Sequence, residues 1–204
     1  MAGSVGAVVK ASYSRGAAAA LRLAKGHVRY AVHRCNEHGQ HQYREVWDGV
    51  GRVGKQGAYA RLDRVQPSDY VYRLILSPNP EHQDLGGRLD LRLWTQRIMA
   101  QLEQDLGRGV DWFAVSHDNP DHRHVHVVAV TQRRLEVGHL RSMRASGDRE
   151  AAAQQRDQPR ERGRRDHDHK TPTTGPRRGR ERDMHGSPIR VGPSPRRDLS
   201  GGLG

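Results

Sequence analysis

The chain has 204 residues, of which 34% are hydrophobic, 28% are charged and only one is Phe. Its formal net charge is +12, with 35 Lys and Arg against 23 Asp and Glu. The apolar content is low for a core of this size, so part of the chain is expected not to fold. The positive charge favours a polyanionic partner, and nucleic acid is the first choice.

Cysteine content and hydropathy exclude several classes of protein. Cys35 is the only cysteine, which rules out an intrachain disulfide and a zinc site made of cysteines. No apolar run reaches the length of a membrane span, and the first residues lack the apolar core of a signal peptide. We therefore expect a cytoplasmic protein with no membrane segment.

The first part of the chain alternates between the patterns of strands and helices. A first strand is predicted over residues 5–13 and a helix over residues 17–34, where apolar residues recur along one face. A short strand is expected over residues 43–47, and a short helix over residues 54–65. A good strand follows over residues 70–76, before a segment with two prolines.

The next elements are a long helix and a hairpin. The helix is predicted over residues 89–106, with Gly107 and Gly109 closing it. Strands over residues 110–116 and 124–131 are separated by a short turn and should pair with each other. This order predicts an α+β fold, a two-layer sandwich in which a mainly antiparallel sheet carries its helices on one face.

The composition changes near Arg144. All Trp, Tyr and Phe residues precede it, whereas residues 145–204 carry 14 Lys and Arg against 9 Asp and Glu and many Pro and Gly. We expect a folded domain over residues 1–145 and a basic, disordered tail over residues 146–204, in which a short helix continues through residues 148–155.

Four histidines, His117, His122, His124 and His126, lie within ten residues. On a strand, His124 and His126 point to the same face, and the hairpin returns His117 beside them. Three imidazoles around one point leave coordination positions open, as in a catalytic metal site. The alternative is a solvated polar surface, but unpaired imidazoles in a strand of Val and Ala would be costly. His122 is not predicted to be a ligand.

The His124-Val125-His126 motif, with the lead-in from Trp112 to His117 and the segment from Tyr72 to Pro78, resembles the HUH endonucleases. It is most similar to the mobilisation relaxases of the agrobacterial T-DNA nickase type, over about residues 5–145. The resemblance implies a nuclease domain that nicks single-stranded DNA at a transfer origin, for plasmid or mobile-element transfer. It also implies a divalent metal ion, a 5′-phosphotyrosine intermediate and possible accessory mobilisation proteins.

The position of the tyrosines separates two branches of this superfamily. Its replication initiators place the nucleophile after the histidine motif, whereas relaxases place it near the N-terminus. Tyr72 is the last tyrosine, so only relaxase order fits. By resemblance we favour Tyr30 on the first helix as nucleophile, with Tyr13 as the alternative. Tyr30 could otherwise be an ordinary half-buried helix aromatic.

Other residues are assigned supporting roles. Asp118 and Asp121 are predicted to accept the tyrosine proton or to orient an imidazole. The resembling family usually has its acidic residue two positions after the first histidine, so the match of Asp118 is inexact. Imidazole ligands suit Mn, Zn, Ni or Co better than Mg, but the sequence does not identify the ion. Phosphate contacts are predicted for four basic side chains near the proposed tyrosine: Arg29, Arg34, Arg44 and Arg52.

Two other functions remain open at the level of the sequence. The first is a non-catalytic DNA-binding protein of relaxase descent, which would share the charge and the fold. The second is a metallo-phosphodiesterase in which a metal-bound water replaces the tyrosine as nucleophile.

Overall fold

The structure is a computed structural model that describes residues 6–35, 39–119 and 122–158. Within these ranges it contains four strands, four α-helices and one 3-10 turn (Leu85–Gly87). The α-helices and strands follow in the order β1 (Val8–Arg15), α1 (Ala18–His33), α2 (Gly54–Leu62), β2 (Tyr70–Ser77), α3 (Leu91–Leu106), β3 (Asp111–His117), β4 (His124–Thr131) and α4 (Val137–Asp157). The α+β class and the antiparallel sheet expected from the sequence are confirmed.

The four strands form one open sheet in the order β1-β2-β4-β3, with every neighbouring pair antiparallel. β3 and β4 form the expected hairpin, whereas β2 and β3 run parallel to each other with β4 between them. α3 makes the connection between β2 and β3. β4 is therefore an interior strand, and the two histidines that it carries sit within the sheet rather than at its edge.

The helices cover both faces of the sheet, so the prediction that they lie on one face is wrong. α1 and α2 pack on the face that includes Val71, Phe113 and Val128. α3 and α4 pack on the other face, against side chains such as Leu74 and Val127. The physical reason lies in the interior strands, since β2 and β4 are apolar on both sides. A strand of that kind needs cover on both faces.

The folded domain was predicted to end at residue 145, but α4 continues past this point to Asp157, so the predicted end is too early. Beyond residue 145, Gly147 and Ala151 are buried. The Trp94 indole N–H donates to the carbonyl of Gly147 (2.8 Å), and the backbone N–H of Ala7 donates to Asp148 Oδ1 (2.7 Å). The folded part thus includes the whole of α4. The rest of the predicted tail, residues 159–204, lies outside the described residues.

The strand expected over residues 43–47 does not form. Only Trp47 bonds to the sheet, exchanging two backbone hydrogen bonds with Ala114 on β3 (3.0 and 2.7 Å). A tight turn follows at once, because Asp48 Oδ1 accepts from the backbone N–H groups of Val50 and Gly51. Among the described helices, none is both long enough and apolar enough to cross a membrane.

Candidate metal centre

Three histidines meet at the hairpin end of the sheet, on the face that α1 covers. His117 ends β3 directly opposite His124, and His126 lies opposite Val115. The strand pleat places the three imidazoles on one side. One ring nitrogen from each lies within 4.8 Å of the other two, and the ring centroids are 4.6–5.0 Å apart. The three residues predicted as ligands are therefore together and could hold a metal ion.

Hydrogen bonds determine which nitrogen each imidazole can offer. His117 Nε2 lies 2.8 Å from the carbonyl oxygen of Ala31 on α1, and His124 Nδ1 lies 2.7 Å from that of His122. A carbonyl oxygen only accepts, so these two nitrogens carry the protons. The lone pairs then sit on His117 Nδ1 and His124 Nε2. We call the ring nitrogen that does not bind the metal the outer nitrogen. A hydrogen bond from this nitrogen to a carbonyl oxygen commonly orients a metal-bound histidine.

His126 is the member of the trio whose ring has no such anchor. Its side chain is 93% buried, and both of its ring nitrogens are buried without a hydrogen-bond partner in the part of the chain that the structure describes. Leaving buried polar atoms unsatisfied costs about 1–3 kcal/mol each. A metal ion held with the other two histidines would satisfy one of them.

The surroundings keep two of the imidazoles neutral. Burial lowers the pKa of His117 to about 4, and the positive charge of Arg44 acts in the same direction. Burial also lowers the pKa of His126 to about 3, with the neighbouring imidazoles adding to the effect. Neutral imidazoles keep the lone pairs that metal binding requires.

The donor set fits a divalent ion. Metal–imidazole bonds of about 2.1 Å place tetrahedral ligand nitrogens about 3.4 Å apart, so shifts of about 1 Å in the side chains would close this set on an ion. Three protein ligands leave at least one position for water or substrate, as in catalytic sites. All-imidazole coordination suits Zn or Mn better than Mg, which prefers oxygen.

The two predicted nucleophiles lie on opposite sides of the sheet. Tyr30 immediately precedes Ala31 on α1, is 53% exposed, and has the guanidinium of Arg34 5.7 Å from its ring centroid. Tyr13 pairs with Tyr72 across β1 and β2, and their ring centroids are 5.3 Å apart on the face that α3 and α4 cover. The sheet therefore separates Tyr13 from the histidines, and α1 brings Tyr30 to their side.

Of the two predicted aspartates, the structure describes only Asp118, and its carboxylate is bound to an arginine. Asp118 follows His117, but its carboxylate pairs with Arg123 (3.2 Å), which is also bound to the buried Asp84 (2.8 Å). The orienting partners found are the backbone carbonyls of Ala31 and His122 instead. Asp121 lies outside the described residues.

Two of the four predicted DNA-contacting arginines lie beside the histidines. The charge of Arg34 acts on both His117 and His126, and Arg44 donates to the carbonyl of Arg34 (2.6 Å). Burial lowers the pKa of Arg44, and the nearby charge of Arg34 adds to this.

The other two arginines are placed differently. Arg29 is exposed and, by helical geometry, points away from the side of α1 that carries Ala31. Arg52 is exposed and forms an ion pair with Glu45 (3.3 Å).

A residue that the sequence did not single out, His27, also reaches the centre. Its ring centroid lies 4.9 Å from that of His126, and its Nε2 is buried without a partner among the described residues. Burial lowers the pKa of His27, with a further effect from the charge of Arg73. The helical pattern could have found this residue, since His27 precedes Ala31 by one turn, but only once the buried face of α1 was known.

Two grooves of about 460 and 570 Å³ lie at the other end of β3 and β4, away from the histidines. Both are lined by Arg61, Val110 and Asp111. The histidine centre is defined by its ligand geometry, and neither groove includes any of its three residues.

Comparison with known proteins adds nothing to this geometry, because no family model, no curated protein and no solved structure matches the chain.

Proposed function

We propose that the protein is a relaxase of the HUH type, which nicks single-stranded DNA at a transfer origin through Tyr30. One observation carries the proposal. Three imidazoles, each with a nitrogen free for a metal, converge on one face of the sheet under the helix that bears Tyr30. A metal centre beside an exposed tyrosine suits the transfer of a DNA phosphodiester to a protein hydroxyl.

In the proposed reaction the Tyr30 hydroxyl attacks the scissile phosphorus. The bond from phosphorus to the tyrosine oxygen forms as the bond to the 3′ oxygen breaks, which leaves a 5′-phosphotyrosine and a 3′ hydroxyl. A divalent ion, when bound, stabilises the negative charge that develops on the phosphate oxygens. The attack also needs a group that takes up the tyrosine proton, and the departing 3′ oxygen takes up a proton to become the 3′ hydroxyl.

The arginines beside the centre support a nucleic-acid substrate. The guanidinium of Arg34 lies 5.7 Å from the Tyr30 ring centroid and its charge acts on His126, and Arg44 is bound to the carbonyl oxygen of Arg34. Guanidinium groups form charge-assisted hydrogen bonds with phosphate. In this proposal they bind the DNA backbone and position the scissile phosphate for attack by Tyr30.

The proposal is tested by incubating the protein with a pool of random single-stranded oligonucleotides and Mn²⁺. We expect a covalent protein–DNA adduct on denaturing gels. EDTA should abolish it, Tyr30→Phe should abolish it, and Tyr13→Phe should retain it.

Other outcomes would select another function. Cleavage without an adduct, unchanged in Tyr30→Phe, would indicate a metal-bound water as nucleophile. If the wild-type protein bound DNA but produced neither cleavage nor adduct, the enzyme proposal would be overturned in favour of a DNA-binding role.

A further inference from the structure

The three ligands differ in how their outer nitrogens are held. His117 and His124 each donate the proton of the outer nitrogen to a backbone carbonyl, at 2.8 and 2.7 Å. For His126 the structure gives neither ring nitrogen a partner within the described ranges, although the side chain is 93% buried. When one nitrogen of a neutral imidazole binds a metal, the other becomes a hydrogen-bond donor. A metal-bound His126 would therefore carry a buried N–H that needs an acceptor.

The neighbour that can accept this hydrogen bond is His27. Its ring meets that of His126 edge to face, with centroids 4.9 Å apart and the planes at 73°. Its Nε2 is itself buried and without a partner among the described residues. A neutral imidazole with its proton on Nδ1 has a lone pair on Nε2. Two rings in contact thus each carry a buried nitrogen without a partner, one that would donate once His126 binds a metal and one that can accept.

We propose that His27 is the positioning residue of the third ligand, its Nε2 accepting the hydrogen bond that metal-bound His126 donates from its outer nitrogen. This inference rests on the metal centre of the proposed function. It assigns α1 two contacts with the centre, one helical turn apart. The carbonyl of Ala31 holds His117, and the side chain of His27 holds His126.

His27 is proposed to contact a ligand rather than the metal itself, because its nitrogens are not among those that converge. The three nitrogens that lie within 4.8 Å of one another belong to His117, His124 and His126. Orienting a ligand through its outer nitrogen raises its basicity and restricts its rotation, and loss of such a partner typically lowers metal affinity about 10- to 100-fold.

The test is Zn²⁺ affinity, measured by competition with a chelator of known strength. His27→Phe keeps a ring of similar size but has no acceptor, and we expect a loss of about 10- to 100-fold in affinity. His27→Gln supplies an amide oxygen and should recover most of that loss. His33→Phe makes the same change on the exposed side of α1 and should bind Zn²⁺ as the wild type does.

Three results of the affinity measurement would overturn the inference. Unchanged affinity in a folded His27→Phe protein would do so, and so would an equal loss in His27→Gln, which would indicate ring packing rather than a hydrogen bond. No Zn²⁺ binding by the wild type would remove the metal centre itself, a different failure from the other two. If His27→Phe does not fold, nitrogen NMR of the wild type decides. Zn²⁺ should shift the His27 Nε2 resonance as it becomes an acceptor, and an unchanged resonance would overturn the assignment.

Discussion

The side chains of the centre differ in how far their roles can be read from sequence. The alternation of a strand places His124 and His126 on one face, and the short turn returns His117, so the ligand set follows from spacing. The orienting partners do not follow in the same way. Two of them are backbone carbonyls, which every residue has, and the acidic side chain that we expected in this role, Asp118, is bound to Arg123 instead.

Replacing the ligand His124 should weaken metal binding, whereas replacing the side chain of His122 should not. We expect His124→Ala to weaken Zn²⁺ binding by more than the 10- to 100-fold that is typical of a second-sphere change. His122→Ala should bind as the wild type does, because His122 holds His124 through its backbone carbonyl and its side chain is exposed. Equal losses in the two variants, measured by chelator competition, would contradict the ligand assignment.

The buried imidazoles make the stability of the metal-free protein sensitive to acid. The pKa values of His117 and His126 are about 4 and 3 in the folded protein, whereas in the unfolded chain they return to about 6.5. Below pH 6.5 the unfolded chain therefore binds protons that the folded protein does not. The free energy of unfolding should fall as the pH decreases from 6.5 towards 4, and should show no such contribution above 6.5.

Urea denaturation at a series of pH values, with a chelator present, measures this effect. His126→Gln should flatten the dependence on pH below 6.5, because one shifted proton site is removed. An identical slope in wild type and His126→Gln would show that His126 is not held neutral by burial.

An ion-pair cluster holds in place the β3–β4 hairpin, which carries the three histidines. Arg123 lies between His122 and His124 and binds both oxygens of Asp84, whose side chain is 3% exposed. Asp84 also accepts the backbone N–H of Leu89, just before α3. The turn that delivers the His122 carbonyl to His124 is thereby tied to the segment before α3.

Removing the charge of Asp84 should loosen the hairpin. Breaking a buried ion pair from one side costs about 3–5 kcal/mol, so we expect Asp84→Asn to lower the free energy of unfolding by about that amount and to weaken Zn²⁺ binding. Asp63→Asn disrupts an ion pair with Lys25, in which Asp63 is 61% exposed, and should cost less than about 1 kcal/mol. Similar losses in both variants would mean that Arg123 and Asp84 do not hold the hairpin.

Most elements could be predicted because apolar residues recur along one face and suitable residues stand at the ends. In α3 the buried face includes Leu91, Ile98 and Leu102. The helix begins at Leu91 with the Asp90 carboxylate accepting two backbone N–H groups, and it ends at Gly107 in the left-handed conformation. α4 was harder to predict, since its buried positions include Ser146 and Gly147 rather than large apolar residues. The sequence-based expectation of helices on one face was wrong, although the apolar residues on both sides of β2 and β4 favour a sheet that is covered on both faces.

At the scale of the whole molecule, the net charge of +12 indicates a polyanionic partner but not where it binds. The structure concentrates part of that charge beside the histidines, at Arg34 and Arg44. The composition of residues 159–204 adds basic charge outside the described ranges. Sequence alone therefore predicts the class of partner, and the fold is needed to show where the basic side chains gather.

The arginines should differ in their contribution to DNA binding. Each phosphate contact to a single strand adds about 0.7 to the slope of log affinity against log salt concentration. We expect Arg34→Gln to reduce the slope by about that amount and Arg29→Gln to change it less, because Arg29 points away from the centre. Fluorescence anisotropy over a range of salt concentrations measures both slopes. A larger effect for Arg29→Gln would place the DNA on the other side of α1.

Mass spectrometry of the covalent adduct is the most direct test of Tyr30 as the nucleophile, because it reports both the chemistry and the residue. The protein is incubated with single-stranded DNA and Mn²⁺, digested with nuclease and protease, and searched for a peptide that carries a nucleotide. We predict a 5′-phosphonucleotide on Tyr30, formed only with the metal and lost in His124→Ala. A modified Tyr13, or a wild-type protein that cleaves DNA without any modified tyrosine, would contradict the account.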